Sequence, residues 1–164
     1  MAAQQHAQRS GKSGQSASFE FFAPQDALEI EAVAAQIIPS DDAPGAREAR
    51  VIYFIDRALM TFDVDKQLAY TQGLEDLQQK TLELFPVADG FSSRSSAQQI
   101  QLLTGIEHSG FFELVRLHTI MGYLSHPDYG GNHNQAGWKL IGYEDKMTYA
   151  PPFGYYDTEY NKRR

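Results

Sequence analysis

VIYFIDRALMTF, residues 51–62, has the strongest periodicity in the chain. Val51, Phe54, Ile55, Ala58, Leu59 and Phe62 recur at i, i+3, i+4, i+7, i+8 and i+11, which is the template of a helix with one face in a core. Tyr53, Asp56 and Arg57 fall on other faces, where Asp56 with Arg57 reads as a solvated or interface pair. Upstream, Ala27, Ile30, Ala34, Ile37 and Ile38 repeat at helical spacing from Pro24, which suits a first helical position, to the stop at Pro39. Phe19, Phe21 and Phe22 fasten the entry to that helix. The run PSDDAPGA, residues 39–46, is a turn-rich connector.

Downstream the helical pattern continues. Leu74, Leu77, Thr81, Leu84 and Phe85 align on a third helix that follows the acidic turn at Asp63 and Asp65 and ends at Pro86. Ser95 or Ser96 caps a short fourth helix through Ile100, Leu103 and Thr104. Phe111, Leu114, Val115, His118, Met121 and Gly122 share the face of a fifth, and Pro127 predicts its end near Leu124. His118, among apolar neighbours, reads as a hydrogen-bonded core residue. No stretch alternates strongly enough to form a sheet. The expected fold is all-α: a compact bundle of about five helices with a glycine-rich loop and an extended aromatic C-terminal tail.

A chain of 164 residues fits one domain, with residues 1–18 as a flexible polar arm and 19–164 as the helical unit. The net charge of -7 argues against nucleic acid, whose phosphates need a concentrated basic surface. The apolar runs are too short for direct membrane insertion. With no cysteine, the chain has no disulfide, thiolate metal site, iron–sulfur cluster or CxxCH haem attachment.

The stretch SHPDYGGNHNQAGWKLIG, residues 125–142, concentrates glycines, histidines and the only tryptophan. Gly130 and Gly131 call for positive φ or for close approach of another backbone. The segment fits two readings: a turn that returns to its own core with Trp138 as a plug, or a shaped loop that docks into another protein. Tyr143, Phe153, Tyr155 and Tyr156 continue the aromatic character beyond it, more than a solvated end requires.

Catalytic equipment is sparse. There is no GxGxxG after a strand and no Walker loop, so the chain lacks nucleotide and flavin sites of those kinds. His118, His126, Asp128 and His133 supply nitrogen and oxygen donors for an alternative reading as a small metal-dependent enzyme, although their spacing matches no strong zinc pattern.

Three motifs point to a family. FFAPQDALEIEAVAAQIIPSDDAPGA, VIYFIDRAL and above all HPDYGGNHNQAGWKLIGY are similar to the gluconate 2-dehydrogenase subunit 3 family, over Phe21 to about Pro152. The resemblance implies a non-catalytic small subunit that assists folding and stability of a catalytic partner of the glucose-methanol-choline type. That partner binds FAD and oxidises a sugar or polyol, and a cytochrome c subunit often takes the electrons onward. No cofactor is then expected in this chain. Tyr129, Gly130, Gly131, Asn132 and Trp138 carry over as structural or docking positions, and Tyr143, Phe153, Tyr155 and Tyr156 join them as docking candidates. Family members commonly begin with a twin-arginine export signal. The N-terminus has none as it stands, so the expected location is the cytoplasm, or the periplasm if a signal was removed.

Overall fold

The helix at residues 51–62 forms over Val51–Met60 and lies deeper than one apolar face requires, with eight of its ten residues buried. A computed structural model of the chain describes residues 18–86, 90–151 and 153–162. The predicted N-terminal arm lies outside them except for Ser18. This helix, here α2, packs on α1 (Pro24–Ile37) and α5 (Gly110–Leu124), and α3 (Gln67–Leu84) and α4 (Ser96–Thr104) complete the bundle. Two short helices follow, α6 (Ala136–Leu140) and α7 (Tyr155–Lys162). Among the described residues there is no strand, so the all-α bundle expected from periodicity is the fold observed. No described helix is long and apolar enough to cross a membrane.

Local chemistry sets the helix ends close to where the sequence places them. Pro24 starts α1 at a position with no N–H to satisfy, and Ser95 closes a reciprocal capping box with Gln98 at the head of α4. The Ser109 hydroxyl accepts from the Phe112 N–H (3.1 Å) to begin α5. Buried Ala27, Ala32 and Ala34 keep α1 slim, which lets it pack on α2, α4 and α5 together.

The buried face of α3 differs from the predicted one. Tyr70, Gly73, Leu77 and Thr81 point inward, whereas Leu84 is half exposed. Gly73 is the cause, because a Cβ there would lie 2.1 Å from the Phe111 ring. The missing side chain draws that face of α3 against α5.

Asp56 and Arg57 are also corrected. Asp56 is 3% exposed, and its carboxylate accepts from three successive backbone N–H groups, those of Glu20 (2.9 Å), Phe21 (3.0 Å) and Phe22 (3.1 Å). Arg57 donates to the Tyr53 carbonyl (3.1 Å) and lies over the Tyr53 ring, and burial lowers its pKa from the ordinary guanidinium value. The pair is therefore interior, with Asp56 tying the N-terminal strap to α2.

The C-terminal tail is not extended throughout. Beyond Gly154, at φ +125°, the residues Tyr155–Lys162 coil into α7, whose Thr158 hydroxyl donates to the Gly154 carbonyl (2.9 Å). With neither Pro nor Gly from Tyr155 to Lys162, nothing local stops a helix there.

Asp56→Ala strands three N–H donors and should lower unfolding stability by about 3 kcal/mol, with Asp56→Asn losing less because it keeps one acceptor oxygen. Urea denaturation of the two variants beside the wild type checks both the size and the order.

Candidate docking surface

Residues 125–142 fold as a 3-10 turn at Pro127–Tyr129 and a left-handed turn through Asn132, Asn134 and Gln135 (φ +48°, +56° and +58°), followed by α6. The glycines hold this segment against the bundle. Gly130 has φ +104°, and a Cβ there would lie 1.9 Å from an Arg57 guanidinium nitrogen. A Cβ on Gly131 would meet the Gly122 carbonyl oxygen at 2.1 Å, and one on Gly137 the Tyr123 carbonyl oxygen at 2.0 Å. Backbone thus lies on backbone along the end of α5, an approach any side chain would prevent.

Asn132 locks the arrangement. It is fully buried in the left-handed region (φ +48°), its Nδ2 donates to the Ser125 carbonyl (2.8 Å), and its Oδ1 accepts from the Gly137 N–H (2.8 Å). The next N–H, of His133, reaches the Ala49 carbonyl (3.0 Å) just before α2. Trp138 is 8% exposed, donates from Nε1 to the Leu124 carbonyl (2.9 Å), and packs edge-on against Tyr143 (4.9 Å) and His126 (5.5 Å).

The predicted docking residues divide in two. Gly131, Asn132 and Trp138 are buried within the chain itself, while Tyr129 and Gly130 are half buried. Tyr143, Phe153, Tyr155 and Tyr156 are exposed, Tyr156 to 87%. The first group gives the loop its shape, and the second offers surface.

The four residues of the metal-enzyme alternative do not converge. His118 is buried in the core, whereas His126 faces Asp128 and Asp145 at the surface. Among the described residues no three His, Asp or Glu side chains are placed to hold a metal ion. The physical reason is topological: His118 lies on the inner face of α5, and the others sit beyond its end.

His118 instead completes a buried polar chain. Its Nδ1 is 2.9 Å from the Tyr70 hydroxyl and its Nε2 is 3.2 Å from Asp63, which fits a neutral ring that accepts from Tyr70 and donates to Asp63. Burial raises the Tyr70 pKa, so the phenol stays a donor. Burial also lowers the His118 pKa below the ordinary 6.5, with Asp63 opposing and nearby Lys66 reinforcing the shift.

Sequence periodicity missed another feature. Leu117, Ile120 and Leu124 on α5 are exposed, as is Met121, which the periodicity set on the inner face, and so are Leu140 and Ile141 just after Trp138. The signal was present: α5 is apolar almost all round, more than one buried face can absorb.

Two outcomes follow from this geometry. Gly131→Ala should cost about 3 kcal/mol, because the clash is with backbone that has no alternative rotamer; Gly110→Ala, which meets nothing within 4 Å, should change stability by less than about 0.5 kcal/mol. Thermal melts of the pair decide this. For His118, the depressed folded-state pKa means that the unfolded chain takes up more protons once the pH falls below 6.5. The stability it contributes is fully present above that pH and is lost as pH drops through the folded-state pKa, so stability between pH 7 and pH 5 should fall more steeply in the wild type than in His118→Gln.

Neither a curated protein nor a solved structure matches the chain significantly. The family model described as gluconate 2-dehydrogenase subunit 3 matches residues 24–145, which run from the first residue of α1 past the buried Trp138 plug. With all five main helices and the glycine-packed loop inside that match, the chain belongs to the gluconate 2-dehydrogenase subunit 3 family.

Proposed function

We propose that this chain is a non-catalytic small subunit of an FAD-dependent dehydrogenase complex that oxidises sugars, glycosides or polyols. In this reading it stabilises, and assists the folding of, a flavin-binding catalytic subunit of the glucose-methanol-choline type. FAD is carried by that partner, and a cytochrome c subunit is a further member of the complex. The observation that carries the reading is the family match over residues 24–145, since the family is named for a subunit of a dehydrogenase.

The distribution of side chains supports it. His118, the most deeply buried of the described histidines, has both ring nitrogens engaged by Tyr70 and Asp63, so it is a structural group. The exposed aromatics Tyr143, Phe153, Tyr155 and Tyr156 are the residue types that anchor protein interfaces. Tyr129, Gly130, Gly131, Asn132 and Trp138 serve docking by holding residues 125–142 in one conformation, which lowers the entropy lost on association.

Co-expressed with a flavin-binding catalytic subunit, the tagged chain should retain flavin absorbance through affinity purification. A purified chain that oxidises a sugar with an electron-accepting dye, no other polypeptide being present, overturns the proposal. Replacing both Tyr155 and Tyr156 by Ala should weaken the complex by about 2 kcal/mol, or about 30-fold in Kd, as read by calorimetric titration.

A further inference from the structure

The outward stripe of α5 changes character along its length. Its first turns carry Glu113 and Arg116, paired at 2.7 Å. From Leu117 onward the next two turns present Leu117, Ile120, Met121 and Leu124, exposed to between 37% and 52%. The polar residues of this part of the helix, His118 and Thr119, are buried instead. An exposed helix face ordinarily shows the reverse pattern, with polar groups out and apolar groups in.

The apolar row does not stop at the helix end. The Leu124 carbonyl holds the Trp138 indole, and Leu140 and Ile141, which follow Trp138 closely in the chain, are exposed to 57% and 60%. On its other flank, Asp63 bonds to His118, and the residues on either side of Asp63, Phe62 and Val64, are each about half exposed. The α5 row with Leu140 and Ile141 leaves on the order of 600 Å² open, at the upper end of the apolar patch an ordinary monomer shows.

We infer that this ridge, from Leu117 to Leu124 and on to Ile141, is the centre of the contact with the flavin-binding catalytic subunit, with Tyr143, packed on Trp138, at its margin. The inference rests on the accessory role proposed above and adds the location of the interface. A second copy of this chain is a poorer occupant, because each copy carries a net charge of -7 and self-association would bring like charges together. An anionic membrane surface is disfavoured by the same charge. A partner of different composition meets neither objection, and the family is by description a subunit among others.

The test is co-expression of the full chain with the catalytic subunit, reading flavin absorbance retained per mole of tagged small subunit. The double variant Leu117→Glu with Ile120→Glu should lose at least about tenfold of the retained flavin. Leu117→Gln alone, a milder change at an exposed site, should lose part of it, so the result does not depend on one variant remaining folded. Gln78→Glu, on the exposed face of α3, should retain the wild-type level. Circular dichroism melts of the purified chains should show wild-type transitions for all three.

If the wild type retains flavoprotein and the ridge variants retain as much, the ridge assignment is wrong and the accessory role stands. If the wild type itself retains no flavoprotein, both are wrong. Light scattering that shows a homodimer of the isolated chain, dispersed by the ridge substitutions, assigns the ridge to a second copy and overturns the inference.

Discussion

The bundle is organised by a carboxylate that lies in its interior. Asp56 receives three consecutive N–H groups from the strap before α1, and these groups would otherwise be orphaned beside an apolar core. Once the strap is held, Phe22 is set edge-on against Tyr70 at 5.7 Å, and Tyr70 reaches His118, which reaches Asp63. A connected line of polar and aromatic contacts thus runs from the N-terminal strap through α3 to α5. Such a line specifies which faces meet, a selectivity that hydrophobic burial alone lacks because it is non-directional.

The loop at residues 125–142 is held by a different principle. It contributes little apolar side-chain volume of its own apart from Trp138, and it binds by removing side chains where backbone must approach backbone. Gly131 and Gly137 lie on the carbonyls of Gly122 and Tyr123, and Gly130 lies on Arg57. Asn132 then satisfies the polar groups this approach would strand. The most recognisable motif of the chain is therefore first a device for closing the end of α5, and any contact with a partner is made by what that closure leaves outside.

The surface that remains is unusual in its placement. The apolar row on α5 sits directly over the buried His118, so the same two turns are specified on both faces, polar and satisfied inside, apolar outside. That inversion distinguishes it from scattered surface leucines, which occur singly on ordinary monomers and carry no message.

Helix positions were legible in the order of residues, because capping chemistry and prolines act locally: Pro24, Ser95 and Pro127 mark ends that the folded chain keeps. The interior role of Asp56 was not legible, since a carboxylate between apolar residues looks the same whether it meets water or three amides from residues more than thirty positions away. The rotation of α3 toward Gly73 and the split of the docking residues into buried and exposed sets escaped for the same reason. Periodicity reports that a face is apolar, and it cannot report which of several apolar faces the neighbouring helices cover. Local propensity settled the elements and the class of fold; burial, pairing and the uncovered ridge depend on contacts between distant segments, which exist only once the helices have packed.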